Sequence, residues 1–214
     1  MTDWSVEGRT VRRAALVLQK HQTRARILEA ARRVFARKGY HGTLMEEVAR
    51  EAGLSKGALY FHFSSKEELF LSLVEEAGAQ LAERVTAAIA AARGGEAKVR
   101  AALGAAVEAF AENEDLTRLV LVEWVGLSPE FEEKRFALET ALARLIQTYL
   151  EEAMAEGRIP PQDTSLAAFA WLGAIRALVV RWLHTHYPER LVDLVPALSE
   201  LLLRSVGFRR EGEP

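Results

Sequence analysis

Apolar residues recur with a helical period along almost the whole chain. In the N-terminal third, Ile27, Ala30, Ala31, Val34 and Phe35 follow the i, i+3, i+4, i+7, i+8 pattern, which predicts one helix ending at Gly39. Nowhere do β-branched and polar residues alternate over the length of a strand. The pattern therefore predicts an all-α protein.

Capping residues divide this pattern into separate helices. Thr43 to Glu46 and Ser65 to Glu68 both match the capping box, and Ser55 is placed to cap a short helix through His62. Beyond Gly94, breaks at Asn113, Ser128-Pro129, Gly157 and Pro188 delimit the rest. The further helices are predicted at 96–113, 116–126, 129–156, 164–186 and 190–206. About nine helices result, as a small N-terminal three-helix unit and a larger bundle.

The segment from Thr43 to Lys66 reads TLMEEVAREAGLSKGALYFHFSSK. Two short helices, 44–51 and 55–62, are joined by a turn at Gly53, with small Ala49 where the helices must cross. Val48, Leu54, Leu59 and Phe63 are predicted to face a common core. Core packing is also the favoured interpretation of Phe61 and the alternative to DNA contact for Tyr60. These features predict a helix-turn-helix at about 44–63, whose second helix enters the DNA major groove.

The outward face of the second helix has side chains suited to DNA. Lys56, Tyr60, His62 and Lys66 can donate hydrogen bonds to phosphates. Gly57 permits close approach, and Ser55 and Ala58 can meet base edges or a thymine methyl. As the alternative to these roles, Ser55 is a helix cap with or without DNA.

The charge distribution agrees with a polyanionic partner at one end. Residues 1–66 contain 13 Lys and Arg against six Asp and Glu, whereas the remainder contains 15 against 24, and the net charge is −2. A basic N-terminal third is expected where that end meets nucleic acid, and chance clustering of solvated cations is the alternative. The extra residues 1–20 form a basic arm, in which Arg9, Arg12, Arg13 and Lys20 either reach DNA or lie in a mobile, solvated tail.

From about Thr23 to Val74 the chain resembles the DNA-binding domain of TetR-family transcriptional regulators. The matching strings are TRARILEAARRVFARKGYHGT and MEEVAREAGLSKGALYFHFSSKEELF. The resemblance implies a homodimer that binds a palindromic operator in double-stranded DNA and usually represses transcription. It also implies that Thr43 contacts DNA together with Ser55, Lys56, Gly57, Tyr60, His62 and Lys66. The domains are then the arm 1–20, the DNA-binding domain 21–68, and a ligand-binding and dimerisation domain 69–214.

The last two predicted helices have more apolar surface than one bundle contact requires. This excess predicts burial against a second chain, and the family position implies a four-helix dimer interface. The alternative is that these residues form the core of a single chain. The predicted interface residues are Phe169, Val179, Trp182, Leu194, Leu198, Leu201 and Leu202.

The bundle is expected to bind a small inducer, which we predict to be largely apolar, with a fatty acid or acyl-CoA as the candidate. The predicted lining residues are Val107, Phe110, Leu119, Trp124, Phe131, Phe136, Leu142 and Trp171, and plain core packing is the alternative for each. Arg176 lies among apolar neighbours and needs a partner if it is buried. That partner is either Glu108 or Glu123, or the acid group of a ligand.

Other classes of function find little support in the chain. It has no cysteine and no recognisable nucleophile, phosphate-binding or metalloprotease motif, so we predict neither an enzyme nor a cofactor. His184 and His186 point about 200° apart on a helix, so no metal site is predicted. Arg176 and Arg181 interrupt the apolar run Leu166 to Leu183, which favours a buried helix of a soluble cytoplasmic protein over a membrane span. A helical protein–protein adaptor that does not read DNA is the alternative function.

Overall fold

The computed structural model describes residues 4–123 and 128–209, with side chains described from residue 17 onward. All regular elements in these ranges are helical. The α-helices are α1 (Trp4–Gly42), α2 (Met45–Glu51), α3 (Lys56–His62), α4 (Lys66–Ala91), α5 (Gly95–Glu112), α6 (Glu114–Arg118), α7 (Pro129–Ala155), α8 (Thr164–Thr185) and α9 (Val195–Ser205). The all-α prediction is confirmed for the described part of the chain. Trp124 and the side chains of Arg9, Arg12 and Arg13 lie outside it.

Two compact units divide between Leu73 and Val74. The first unit extends beyond the predicted boundary at residue 68 because Leu69 and Phe70 are fully buried in its core. The Phe70 ring lies 5.4 Å from that of Phe35 and 5.1 Å from that of Tyr40. The first turns of α4 therefore complete the core of the N-terminal unit.

Helix α1 is much longer than the sequence pattern predicts. The backbone is helical from Trp4, so the expected loose arm is instead the beginning of α1. Between Trp4 and Gly39 there is no proline and only Gly8 to weaken a helix, and the alanine- and leucine-rich segment 14–18 favours one. Gly39 was predicted to end this helix. It does interrupt the regular helix, because its φ is positive at 68°.

One of the two predicted capping boxes does not form. Helix α2 begins after Leu44 with no side-chain cap, and the Thr43 hydroxyl donates instead to the Gly39 carbonyl at 2.8 Å. At the start of α4, Ser65 Oγ accepts from the Glu68 N–H at 3.1 Å, as predicted. The Glu68 carboxylate, however, accepts from the backbone and hydroxyl of Ser64, so this box is shifted by one residue.

The second unit follows the predicted boundaries with two exceptions. The helix expected at 116–126 is divided into α6 and a π-helical turn, Leu119–Glu123. The helix expected at 190–206 begins as a 3₁₀ turn, Leu191–Leu194, before α9, since Pro196 has no N–H to donate in the first turn. Ser128 caps α7 with Pro129 in its first turn, and Asp163 caps α8.

Helix α8 is long and apolar enough to cross a membrane by length and composition, a test that the core helix of a soluble protein also passes. Contrary to the prediction of a buried helix, most of its residues are exposed or only partly buried within one chain. Val179, Trp182 and Leu183 pack into the core of the second unit, together with Leu103 and Leu198. Leu166 and Phe169, in the first two turns of α8, are exposed.

Candidate nucleic-acid interface and ligand cavity

Helix α3 is held in place by local contacts at both ends. Gly53 takes the positive φ of 63° that the turn requires, and Ser55 Oγ accepts from the Ala58 N–H at 3.2 Å. Leu59, Phe63 and Val48 are fully buried, and Ala49 is nearly so. These contacts confirm the predicted helix-turn-helix core, although Leu54 is only partly buried.

The exposed surface of α3 contains most of the predicted DNA-contacting residues. Ser55, Lys56, Gly57 and Tyr60 are exposed, while Ala58 and His62 are partly exposed. Contrary to its predicted burial, Phe61 is 76% exposed because it lies on the opposite side of α3 from Leu59 and Phe63. The Lys20 ammonium lies 5.8 Å from the centre of the Phe61 ring.

Lys56, one of the cations predicted to contact DNA, is paired within the protein. Lys56 Nζ lies 2.5 Å from Glu46 Oε1 of α2, and both side chains are at least half exposed. The hydrogen bond raises the pKa of Lys56 and lowers that of Glu46. The ammonium is also 5.7 Å from the centre of the Tyr60 ring.

Two residues predicted to contact DNA have hydrogen-bond partners within the protein. Thr43 is only 1% exposed, and its hydroxyl donates to the Gly39 carbonyl. Lys66 Nζ donates to the carbonyls of Tyr40 at 2.8 Å, Thr43 at 3.1 Å and His41 at 3.4 Å. Burial lowers the pKa of Lys66. The N–H groups of Lys66 therefore point at carbonyls around the end of α1. The family pattern does not reveal this contact.

His62 lies in a cationic environment beside α1. Partial burial, followed by the charges of Lys20 and Arg24, lowers its pKa. Arg24 stacks over the Phe63 ring at 4.6 Å and donates to Ser72 Oγ at 3.0 Å. The imidazole is therefore held closer to its neutral form than a free histidine.

Part of the N-terminal positive charge is neutralised locally. On α1, Arg33 and Arg37 bind Glu51 of α2 at 2.9 and 3.0 Å, and Lys38 binds Glu47 at 2.6 Å. These pairs connect α1 to α2. The net charge of the segment therefore overstates the number of cations free to meet phosphates.

The second unit encloses an apolar cavity of about 250 Å³. Helices α4, α5, α7 and α8 all contribute to its wall, mainly with leucine, isoleucine, valine and alanine. Representative residues are Leu81, Val85, Ile89, Leu103, Phe110, Leu142, Ile146, Trp171 and Ile175. The indole N–H of Trp171 donates to Ser205 Oγ at 3.0 Å and so fixes this ring in the wall.

The cavity only partly matches the predicted lining. Phe110, Leu142 and Trp171 line it. Val107, Leu119 and Phe131 are buried in the unit but do not line this cavity, and Phe136 is 62% exposed. Arg176 is not in the lining and is only partly buried, so the burial that called for an acidic partner is absent. The α4 residues Leu81, Val85 and Ile89 have a helical spacing that is equally typical of ordinary core.

The predicted dimer residues separate into two groups. Val179, Trp182, Leu198 and Leu202 are at most 6% exposed and belong to the core of a single chain, so they are not available to a partner. Leu201 is 62% and Phe169 40% exposed, and Leu194 is partly exposed. The apolar excess on α8 and α9 therefore remains accessible at Phe169, Leu194 and Leu201, whereas the other four predicted residues pack into the core.

The fold and these two sites define a class: a helix-turn-helix DNA-binding protein with a second helical unit that encloses a cavity. Residues 27–73 match the family model for bacterial regulatory proteins of the tetR family. Residues 92–206 match the model for the tetracyclin repressor-like C-terminal domain, more than half of the chain. The chain belongs to the TetR family of transcriptional regulators, and it is a DNA-binding regulator of transcription.

Relatives in Bacillus subtilis cover most of the chain. The fatty acid metabolism regulator protein is 25% identical over 189 residues, which are 88% of this chain and 97% of that protein. The uncharacterized HTH-type transcriptional regulator YhgD is 30% identical over 163 residues, 76% of this chain and 85% of that protein. The crystal structure of the B. subtilis regulator FadR in complex with stearoyl-CoA aligns with a TM-score of 0.78 and 25% identity, over 87% of this chain and 99% of that one.

Proposed function

We propose that this protein is a homodimeric repressor that binds a palindromic operator through α3 and is released by a ligand with a long apolar chain. The observation on which the proposal rests is the apolar cavity of the second unit. Its wall is mostly aliphatic and aromatic, with Lys98, Glu152, Glu156 and Arg158 as the charged members, and such a wall suits an acyl chain better than a polar metabolite. The relative FadR was crystallised with stearoyl-CoA, a ligand of this kind.

Helix α4 offers a route from ligand to DNA. Leu81, Val85 and Ile89 of α4 line the cavity, and the same helix begins at Lys66, which binds the end of α1. A ligand that favours a different position of α4 would alter the surroundings of the helix-turn-helix. Release is then a shift between two populations of the dimer, one of which no longer fits the operator.

The exposed apolar surface of α8 and α9 supports dimerisation. Leu166 is 69% exposed, Phe169 40% and Leu201 62%. Exposed apolar residues concentrated on two helices are typical of a surface that a partner covers. In such a dimer the two α3 helices would occupy successive major grooves, about 34–36 Å apart.

Fluorescence anisotropy with DNA from upstream of the gene tests the first part of the proposal. We expect a preference of about 10³-fold or more over a scrambled duplex, and a steep loss of affinity between 50 and 200 mM salt. Equal, weak binding to this duplex, to the scramble and to a genomic operator library would contradict the repressor and favour the adaptor.

Addition of palmitoyl-CoA and palmitate to the operator complex tests the second part. We expect release of DNA by a long-chain acyl ligand but not by a two-carbon analogue. Ala106 lines the cavity, so Ala106→Phe should fill it and leave operator binding intact while abolishing release. Exposed Ala141 on α7, outside the lining, gives the control Ala141→Phe, which should be released normally.

A further inference from the structure

A second depression, of about 360 Å³, adjoins the apolar cavity. We call it the arginine pocket, and its lining consists of Arg93, Gly94, Gly95, Glu96, Ala97, Arg100, Arg158 and Phe208. Gly94, Gly95, Arg158 and Phe208 also line the apolar cavity, so the two spaces share a wall. Their chemistry is different, since the first is lined mostly by apolar side chains and the second has three guanidinium groups among eight lining residues.

The arginine pocket has an excess of positive charge. Its lining contains three arginines and one acidic residue, Glu96, and a second carboxylate, Glu156, lies in the wall of the adjoining cavity. Arg100 binds Glu96 at 3.0 Å, and Arg158 binds Glu156 at 2.8 Å. Both pairs are substantially solvent-exposed and therefore weak, so an incoming anion of higher charge can replace the carboxylates. Helix α5 begins here at Gly95, and its positive end adds to the arginines.

Phe208 lies at the boundary between the two spaces. A Cβ placed on Gly95 would come within 2.6 and 2.7 Å of Phe208 ring atoms, so the ring rests directly on the Gly95 backbone. The segment is fixed by hydrogen bonds from the Phe208 N–H to the Leu203 carbonyl and from the Arg209 N–H to the Arg158 carbonyl. The ring is therefore part of the wall that the two spaces share.

We propose that the arginine pocket binds the phosphate-bearing head group of a ligand whose acyl chain fills the apolar cavity. The inference rests on the proposed function and specifies its ligand as an acyl chain joined to phosphate, not a free fatty acid. Guanidinium groups bind phosphate oxygens in bidentate pairs, and three of them match a head group with several negative charges. A free fatty acid has one carboxylate and gains little from them.

Calorimetry on the full chain tests the proposal with palmitoyl-CoA, palmitate, 1-palmitoyl lysophosphatidate and CoA. We expect palmitoyl-CoA to bind at least tenfold more tightly than palmitate. The double variant Arg93→Gln/Arg100→Gln should lose that advantage and bind palmitate unchanged. Arg144 is exposed on α7 outside both linings, so Arg144→Gln should behave like the native chain. The lysophosphatidate distinguishes recognition of any phosphate from recognition of the larger CoA group.

The result that overturns the inference differs from the one that overturns the function. Palmitate and palmitoyl-CoA could bind the protein with equal affinity and release it equally from the operator, in the native chain and in the double variant. In that case the arginine pocket is not a head-group site, but the proposed repressor function is unaffected. If no acyl ligand binds or releases DNA, the proposed function fails as well. A second measurement needs no variant: the affinity for palmitoyl-CoA should fall steeply from 50 to 200 mM salt, and that for palmitate much less.

Discussion

The ammonium of Lys66 lies 2.8 Å from the carbonyl oxygen of Tyr40 and 4.5 Å from the centre of the Tyr40 ring. Carbonyls in the last turn of a helix have no partner within the helix, and a lysine can satisfy them. Lys66 therefore joins the start of α4 to the end of α1. The family pattern places this residue among the DNA contacts, whereas the structure gives it a role in holding the DNA-binding unit together.

Replacement of Lys66 should reduce stability more than it changes phosphate binding. We expect Lys66→Met to lower the free energy of unfolding by about 1–3 kcal/mol, because it removes charge-assisted hydrogen bonds. The slope of log affinity for DNA against log salt should stay unchanged. Thermal unfolding and anisotropy over a salt series measure the two effects. In the control Lys56→Met, the magnitude of the slope should fall by about 1, since one phosphate is no longer neutralised. If the magnitude of the slope falls by the same amount in Lys66→Met, Lys66 contacts a phosphate directly.

Removal of the Glu46 charge should strengthen DNA binding. Glu46 holds Lys56 in an ion pair that must be exchanged on binding, and its own charge repels phosphate. Glu46→Gln is expected to raise affinity severalfold for operator and scrambled DNA alike. Anisotropy on both duplexes checks this. Weaker binding by Glu46→Gln, restricted to the operator, would show instead that the carboxylate reads a base.

DNA affinity should rise as pH falls from 8 to 6. Burial, Lys20 and Arg24 lower the pKa of His62 in the free protein, and a nearby phosphate would raise it. Because the bound state then has the higher pKa, binding takes up protons and is favoured at lower pH. Anisotropy at constant ionic strength should show this trend, and it should disappear in His62→Gln. If DNA affinity still rises at lower pH in His62→Gln, another group takes up the proton on binding.

A charge on the exposed apolar surface should dissociate the dimer. We expect Phe169→Glu and Leu201→Glu to give folded monomers with little affinity for the operator, as judged by light scattering and anisotropy. Phe136→Glu, at another exposed apolar residue of similar accessibility, serves as the control and should remain dimeric. Dimers from all three variants would place the interface elsewhere.

A methyl group at Gly95 should displace Phe208. The contact involves the outer atoms of the ring, which can rotate away, so Gly95→Ala should change the free energy of unfolding by about 1 kcal/mol at most. We expect faster association of palmitoyl-CoA in stopped-flow measurements, and a similar rate in Phe208→Ala. Unchanged rates in both variants would mean that the ring does not obstruct ligand entry.

Most helix boundaries were predictable because they depend on neighbouring residues. Ser55, Ser128 and Pro129 act within the turn that they begin, and Gly39 and Gly53 act through their own φ angles. One prediction failed where a second group nearby in the chain competes for the same hydroxyl. The Thr43 hydroxyl had two possible uses, as a cap for α2 or as a donor to Gly39, and local pattern cannot choose between them.

The sequence by itself determined the helical class, the helix-turn-helix and the family, because periodicity, caps and a dense local motif are encoded in adjacent residues. Only the tertiary structure decided which faces remain open. It placed Lys66 on carbonyls more than 20 residues away, left Phe61 exposed, and brought Arg93, Arg158 and Phe208 to one pocket. The physical reason is that these relationships depend on how helices pack, and a helical period does not specify which neighbour will cover a given face.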